Sequence, residues 1–445
     1  MEDSKARSQQ LLLLEFNEIC FENVSYYCSR GRLPHLRELI ERSGWSTTTS
    51  EQQYEHLEPW IQWVTAHTGL SFAEHGVFRL GDIINHDLPQ IWEVLEERGL
   101  KVGAISPMNA KYRLRDPAFF VPDPWTETQI TAPLAVKRLY RAIAQAVNDN
   151  AQARLTPASL YALLMGIGRY ARPANYARYF ALGADALRKP WRKAMFLDLL
   201  LSDVFIRQLR ATRPNFATLF LNAGAHIQHH YMFSAEAYDG PHRNPEWYVR
   251  RGVDPVGEVY ELYDAILGAV RKAFPRARLM VATGLHQIPH GGVTYYWRLK
   301  EHAAFLRRIG IDFERVDPRM SRDFLVSCRD EQQAAKAARL LQLAVASDGR
   351  ALFEVDNRGR DLFVMLVYSG PIERDFTFSI GPTAYSNLHD NVVFVALKNG
   401  EHNGTGYFLD TGAAKGSVPA EFPLAHVPRR IMEALGVDGA ARQTA

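Results

Sequence analysis

Residues 11–16 read LLLLEF, a short and continuous apolar run with polar residues on both sides. Such a run is typical of a strand that is buried on both faces of a parallel sheet. LPHLRELIERSG (33–44) has helical periodicity and ends at Gly44, a residue type that commonly closes helices. EPWIQWVTAHTG (58–69) predicts another helix, with Pro59 at its first position and Gly69 at its end.

Strand and helix patterns alternate along much of the remaining chain. ATLFLNAGAH (217–226) predicts a strand that runs into a loop, and VYELYDAILGAVRKAF (259–274) predicts a long helix. Further strands are predicted at KVGAIS (101–106), ARLMVATG (277–284) and NVVFVALKNG (391–400). This alternation favours an α/β fold with a mostly parallel sheet.

Two stretches depart from this alternation. Residues 126–212 show successive helical patterns without a convincing strand, and they carry many Arg and Lys. We interpret them as a helical insertion whose basic residues form a solvated surface or contact an anionic substrate or a membrane surface. Residues 301–375 predict a small α+β subdomain, so the predicted core comprises residues 1–125, 213–300 and 376–445.

The composition excludes several classes of protein. With 47% hydrophobic and 23% charged residues among 445, the chain is not disordered, collagen-like or a coiled coil. The 52 Lys and Arg nearly balance the 49 Asp and Glu, which gives no electrostatic case for nucleic-acid binding. Three cysteines cannot form a disulfide framework, and neither a signal sequence nor a membrane span is evident, so we expect a cytoplasmic protein.

Polar side chains follow several of the predicted strands, where ligands bind in open α/β sheets. They are Asn17 and Glu18, Asn222 and His226 with His229 and His230 close behind, Thr283 and His286, and His389 and Asp390 with His402. Imidazole is the commonest transition-metal ligand, so converging His, Asn and Glu side chains suit zinc or manganese. Each histidine also has an ordinary alternative as a hydrogen-bonded structural residue.

Spaced motifs strengthen this interpretation. Leu33-Pro34 with Gly44, and Trp63 with Thr68-Gly69 and Glu74-His75-Gly76, follow the order seen in one known group of enzymes. In these motifs the chain resembles the alkaline phosphatase superfamily, in its type I phosphodiesterase/nucleotide pyrophosphatase branch. The resemblance extends to Asn222 with His226, Tyr260 with Asp264, Thr283 to His286, and His389. It implies an alkaline-phosphatase-like α/β/α sandwich.

The chain departs from this family at its catalytic positions. The family uses two metals and a Thr or Ser nucleophile, whose position here falls on Pro59. Asn17 and Asn222 stand where the family has metal-binding Asp, which removes charge that two adjacent dications need. The resemblance therefore implies one divalent ion, zinc or manganese, and assigns roles to six residues. Its ligands are His226 and His389 with Asn17; Asn222 is a ligand or substrate donor, Glu58 a base or ligand, and His286 an extra ligand or acid.

The expected function is a divergent metal-dependent hydrolase of phosphate esters, diesters or related esters. It would act on a small phosphorylated or nucleotide-like substrate through a single divalent metal and an activated water. Glu18, like Glu58, is a carboxylate that can complete the site or act as a general base. The alternatives are a member of the same fold that binds its ligand without catalysis, or a transferase or lyase.

Overall fold

The computed structural model describes residues 10–148, 156–318 and 322–437. The chain divides into two compact units, which are described separately. Unit 1 comprises residues 1–241, 245–289 and 400–445, and unit 2 comprises residues 242–244 and 290–399. The domain boundaries stated from the sequence remain a prediction.

Seventeen strands lie in the described part of the chain. They are β1 Leu11–Phe16, β2 Ser46–Thr49, β3 Val102–Ile105, β4 Phe119–Val121, β5 Phe216–Leu221, β6 Arg278–Ala282, β7 His286–Leu299, β8 Arg315–Pro318, β9 Asp323–Ser327, β10 Ala344–Ala346, β11 Phe353–Arg358, β12 Asp361–Leu366, β13 Phe378–Ile380, β14 Thr383–Tyr385, β15 Val392–Asn403, β16 Thr405–Asp410 and β17 Glu421–Pro423. The long strands β7 and β15 form a two-stranded sheet.

The same ranges hold fifteen α-helices. They are α1 Phe21–Ser29, α2 Pro34–Ser43, α3 Pro59–Thr68, α4 Phe72–His75, α5 Ile91–Glu97, α6 Leu134–Asn148, α7 Pro157–Tyr170, α8 Tyr176–Ala184, α9 Arg192–Thr212, α10 Ala223–Tyr231, α11 Pro255–Ala273, α12 His302–Arg308, α13 Glu331–Gln342, α14 Leu388–Asn391 and α15 Val427–Ala434. None of these described helices has the length and apolarity that crossing a bilayer requires.

Unit 1 is built on an eight-stranded sheet in the order β17-β2-β16-β6-β1-β5-β3-β4. β1 lies between β5 and β6 and pairs with both in parallel. Every residue of β1 is buried, because apolar side chains cover the sheet on both faces. The antiparallel strand β16 pairs with β2 and β6. The predicted α/β fold with a mostly parallel sheet is confirmed.

Glu15 is the one polar residue inside β1, and it is fully buried. Its Oε1 accepts a hydrogen bond of 2.6 Å from Thr218 Oγ1 on the neighbouring strand, and it lies 3.1 Å from His67 Nε2 on α3. α3 begins with Pro59 at its first position and ends at Gly69 in the left-handed conformation, as predicted. The buried pair of Glu15 and His67 thus joins this helix to the central strand.

The segment after β5 differs from its predicted loop, because residues 223–231 form helix α10. Its first turn is stabilised by side chains that are distant in sequence. The backbone N–H of Ala223 donates to Asp198 Oδ2 on α9, and that of Gly224 donates to the Tyr263 hydroxyl on α11. These acceptors satisfy N–H groups that lack partners at a helix start, and a local sequence pattern does not reveal them.

The helices predicted between residues 126 and 212 are present as α6 to α9. Their buried residues belong to the main apolar cluster of unit 1, together with residues of β1, β5 and α11. Among the described residues of this stretch, β-structure is limited to a single bridge between Thr131 and Phe120. That residues 126–212 are an insertion remains a prediction.

Unit 2 contains a four-stranded antiparallel sheet in the order β11-β12-β9-β8 and a three-stranded sheet in the order β10-β13-β14. Phe324, Val326, Leu362 and Val364 alternate with more exposed residues along β9 and β12, and their side chains form the apolar core of this unit. With α12 and α13, these strands give unit 2 the mixed α and β content that the sequence predicts for residues 301–375.

Candidate metal centre

The candidate site lies in unit 1, where the central strands end. Asn17 and Glu18 directly follow β1; the Asn17 N–H donates to Leu221 O at the end of β5, and the Glu18 N–H donates to Thr283 O just after β6. Glu18 has a φ of +60°, which is uncommon for a residue other than glycine. This turn directs the chain away from the sheet at the edge where ligands of α/β proteins bind.

Three side chains converge at this edge. Glu18 Oε2 lies 3.2 Å from His229 Nε2 and 3.3 Å from His402 Nε2, and the two histidine nitrogens are 3.1 Å apart. Glu18 is fully buried, whereas the side chain of His229 is 28% exposed. The three atoms therefore form a nearly equilateral triangle with one buried and one partly exposed side chain among its members.

Hydrogen bonds do not occupy all three edges of this triangle. An imidazole nitrogen either carries a hydrogen or presents a lone pair, and an ionised carboxylate presents only lone pairs. If both Nε2 atoms carry hydrogens, both can donate to the carboxylate oxygen, but the two nitrogens do not bond to each other; if one lacks a hydrogen, its lone pair faces the ionised oxygen. With Glu18 ionised, no assignment of protons therefore makes every edge a hydrogen bond, whereas a central cation would bind one lone pair of each group.

The dimensions of the triangle suit a transition metal. Zinc binds imidazole nitrogen and carboxylate oxygen at about 2.0–2.2 Å in tetrahedral geometry, which separates its ligand atoms by about 3.3–3.4 Å. The observed edges of 3.1, 3.2 and 3.3 Å are close to that separation. Two histidines, one carboxylate and an open fourth position are the donor set of many catalytic zinc sites. Glu18, His229 and His402 thus fit a single divalent ion.

Buried amides hold Glu18 in place. Gln287 Nε2 donates to Glu18 Oε2 at 2.5 Å and to Ala225 O at 3.0 Å, and Gln228 Nε2 donates to Glu18 O at 2.7 Å. Tyr260 in turn donates its hydroxyl hydrogen to Gln228 Oε1 at 2.6 Å. Such second-layer hydrogen bonds orient metal ligands in known sites.

The electrostatics of the site keep Glu18 ionised. Burial alone would raise the pKa of its carboxyl, but the charges and hydrogen bonds of His402 and His229 outweigh burial and lower that pKa well below its ordinary value. The ionised form is the one that binds metal.

Gly400 permits the close approach of β15 to this site. A Cβ atom at this position would lie 2.1 Å from Gln287 Oε1 and 3.0 Å from Gln228 O, so any larger residue would displace the amide that supports Glu18. The carbonyl of Gly400 lies 3.4 Å from His229 Nδ1. A hydrogen on Nδ1 directed there leaves the lone pair of Nε2 facing the triangle.

Asn17, Asn222 and Glu58 surround the triangle. Asn17 Nδ2 donates to Asn222 Oδ1 at 2.8 Å and to Glu18 Oε1 at 3.1 Å, and Asn17 Oδ1 accepts from Trp63 Nε1 at 2.7 Å. The half-exposed Glu58 precedes α3, and its Oε2 lies 3.7 Å from His402 Nδ1. The structure thus brings three of the sequence-predicted site residues to the edge of the cluster.

The other three predicted residues have different neighbours. His226 is exposed on α10, and its ring centroid is 5.0 Å from that of His230. His389 belongs to α14 of unit 2, where its Nδ1 lies 3.3 Å from Asp390 Oδ1. His286 begins β7, and its Nδ1 lies 2.5 Å from Thr405 O.

His286 belongs to another group of potential ligands, formed with Cys20 and Glu22. Cys20 Sγ donates to Glu22 Oε2 at 3.0 Å, and the Tyr407 hydroxyl donates to the same oxygen. The ring of His286 lies 5.3 Å from that of Tyr407. We call Glu18, His229 and His402 the triangle cluster, and Cys20, Glu22 and His286 the cysteine cluster.

The residues of the triangle cluster could be found from their positions after predicted strands, although the family motifs favoured other histidines. Glu18 and His229 follow predicted strands, and His402 follows a third. Because residues 223–231 are helical, His226 and His229 are one turn apart, and it is the ring of His229 that meets Glu18. The supporting role of Gln287 had no signal in the sequence.

No known protein family matches the sequence, and no curated protein matches it. Several solved structures are similar to the chain. Phosphonoacetate hydrolase from Sinorhizobium meliloti 1021, in complex with phosphonoacetate, has 13% sequence identity over 96% of each chain and a TM-score of 0.44. Human ectonucleotide pyrophosphatase/phosphodiesterase 5 has 11% identity over 98% of this chain and 97% of its own, with a TM-score of 0.43.

The murine form of the second protein, inactive and in complex with AMP, has 10% identity over 98% of each chain and a TM-score of 0.40. Both proteins belong to the alkaline phosphatase superfamily, the group that the sequence motifs resemble. At TM-scores below 0.5, the likeness assigns no residue of this chain a role.

Proposed function

We propose that this chain is a metal-dependent hydrolase of phosphate esters, diesters or related esters, with one divalent ion held by Glu18, His229 and His402. The observation that carries the proposal is the triangle of ligand atoms, whose edges of 3.1–3.3 Å are close to the separation of ligand atoms around a tetrahedral zinc ion. The substrate class follows from the sequence resemblance.

The charge of the site favours an anionic substrate. One carboxylate and two neutral imidazoles leave a bound dication with a net charge of about +1. A phosphate ester offers oxygens that such a site attracts, and the exposed side of His229 leaves room for their approach.

The roles of the residues follow from their positions. A divalent ion bound here would act as a Lewis acid toward a phosphoryl oxygen and make a water more acidic. We assign to Glu58, half-exposed at the start of α3 with its Oε2 3.7 Å from His402 Nδ1, the role of taking the proton from an attacking water. Asn222, whose Oδ1 accepts from Asn17, orients its amide group beside the site.

The resemblance assigns metal binding to His226, His389 and Asn17, with His286 as a further ligand or acid, and these roles remain predictions. His226→Ala and His402→Ala separate the two assignments. We expect the His402 variant to lose its metal and the His226 variant to keep it.

The test is an assay with a panel of phosphate monoesters and diesters and with phosphonoacetate. Each is incubated with protein whose metal a chelator has removed, and with the same protein reloaded with zinc or manganese. We expect turnover only in the reloaded protein, and its loss in His402→Ala. Absence of turnover in every reloaded sample would contradict the proposal.

The alternative is binding without catalysis, or a transferase or lyase reaction. It is favoured by Pro59, which stands at the family's nucleophile position and offers no nucleophilic atom. A phosphate-dependent rise in melting temperature without turnover of any ester would support this alternative. For location we propose the cytoplasm, in keeping with three unpaired cysteines.

A further inference from the structure

Helices α7 and α8 of unit 1 expose large apolar side chains to solvent. The exposed fractions are 66% for Tyr161, 58% for Leu164, 56% for Met165 and 78% for Phe180. Leu160 and Tyr176 are exposed as well, by 48% and 55%. We call these six residues the α7–α8 surface.

The exposed side of α7 is as apolar as its buried side. Leu160, Tyr161, Leu164 and Met165 span about 140° of the helix circumference at 100° per residue. The opposite side carries the buried residues Ser159, Gly166 and Tyr170. A helix that is apolar on all sides at a protein surface needs a further apolar environment.

The charge of the surrounding segment is predominantly positive. Residues 128–184 contain seven Lys and Arg and one acidic residue, Asp149. At the chain's average of 49 acidic residues in 445, fifty-seven residues would carry about six. The exposed Arg138, Arg141, Arg169 and Arg178 form no ion pair with a carboxylate among the described residues.

Exposed apolar side chains beside cations suit a partner that is both apolar and anionic. Leu, Met, Phe and Tyr side chains insert at the boundary between lipid headgroups and acyl chains, and nearby cations attract anionic headgroups. A second copy of this chain would bring cations against cations, which opposes association. We propose that the α7–α8 surface binds the surface of anionic phospholipid bilayers, an activity that is independent of the proposed hydrolysis.

The test is co-sedimentation of the full chain with vesicles of phosphatidylcholine alone and of phosphatidylcholine with phosphatidylglycerol. We expect binding to the anionic vesicles, weakened by salt, and little binding to the neutral ones. Leu164→Ser/Phe180→Ser and Arg169→Ser/Arg178→Ser should each weaken binding about tenfold or more. The matched control is Leu343→Ser, which alters a 54% exposed leucine of unit 2 and should bind as the wild type does.

Three results would overturn the proposal. They are absence of binding to anionic vesicles, equal binding to both compositions, and wild-type binding by both double variants. Light scattering without lipid tests whether a second copy of the chain covers the α7–α8 surface instead. A wild-type dimer that becomes a monomer in Leu164→Ser/Phe180→Ser would show this and overturn the proposal. Should the apolar variant fail to fold, the arginine variant alone decides, because its changed residues are exposed.

Discussion

Glu18 of the triangle cluster and Cys20 of the cysteine cluster are two residues apart in sequence, and each cluster offers three side chains that can bind metal. They differ in how their polar atoms are satisfied. In the cysteine cluster, Cys20 and Tyr407 each donate a hydrogen to Glu22, and His286 Nδ1 has Thr405 O as its acceptor. In the triangle cluster, two imidazole nitrogens and an ionised carboxylate oxygen face one another, and no proton assignment turns all three contacts into hydrogen bonds.

The pKa values follow the same division. The carboxyl of Glu18 has a pKa well below its ordinary value, because the charges and hydrogen bonds of His402 and His229 outweigh its burial. Burial and the hydrogen bond to Glu22 raise the pKa of the Cys20 thiol to about 12, so it stays protonated at neutral pH in the metal-free protein. The type of residue therefore identifies a metal site less well than the completeness of its hydrogen bonds.

The largest effect is expected from Glu58→Gln, which removes the proposed base at the edge of the triangle cluster. Hydrolysis should fall by about 10²–10⁴-fold, while the metal content stays that of the wild type. Steady-state kinetics with elemental analysis of the same samples checks both. A simultaneous loss of metal would instead make Glu58 a ligand.

Gln287→Leu should weaken metal binding by about 10- to 100-fold, because it removes the hydrogen bond that holds Glu18 Oε2. Competition with a chelator of known affinity measures the change. Gln208→Leu is the control, since it replaces a buried glutamine of α9 and should leave affinity unchanged. An equal loss of metal affinity in both variants would mean that general destabilisation causes the effect.

Tyr407→Phe should lower the free energy of unfolding by about 1 kcal/mol without affecting bound metal, because it removes one hydrogen bond of the cysteine cluster. The ring is buried and stacks on Phe21 at 4.9 Å, so Phe preserves the packing. Urea unfolding and elemental analysis measure the two quantities. Loss of metal in this variant would remove the distinction between the clusters.

The same variant should respond differently to acid. Burial would raise the pKa of Glu22, but the hydrogen bonds from Cys20 and Tyr407 outweigh it and lower that pKa below 4.5. A lowered folded-state pKa contributes stability above pH 4.5, which is lost as the pH falls through the folded-state value. The stability difference between wild type and Tyr407→Phe should therefore narrow in acid, as urea unfolding at several pH values would show.

The smallest effect is expected in the absorption spectrum of protein loaded with cobalt in place of the native metal. Nitrogen and oxygen ligands of the triangle cluster give no sulfur-to-cobalt charge-transfer band in the near ultraviolet. Cys20→Ser should leave the spectrum unchanged. A charge-transfer band that disappears in Cys20→Ser would place the metal in the cysteine cluster.

The sequence predicts the framework of unit 1 well, because periodicity is a local property. LLLLEF is β1, and Pro59 and Gly69 mark the two ends of α3 as predicted. Helix α10 was missed because its first turn depends on Asp198 and Tyr263, which are 25 and 39 residues from the backbone groups that they bind.

The sequence predicted the location of the site better than the identity of its residues. The sequence places Glu18, Asn17 and Asn222 after strands, and the structure brings all three to one edge of the sheet. Which histidines reach Glu18 depends on the direction in which α10 points His229 and on how closely β15 approaches the site at Gly400. Both are properties of tertiary packing, which spacing along the chain does not contain.

The most direct test of the triangle cluster is the metal content of protein purified without chelator, by elemental analysis. Three proteins are compared: the wild type, His229→Ala/His402→Ala and Cys20→Ala/His286→Ala. We expect about one divalent ion per chain in the wild type and in the cysteine-cluster variant, and none in the histidine variant. Metal retained by His229→Ala/His402→Ala, or lost only from Cys20→Ala/His286→Ala, would contradict the account.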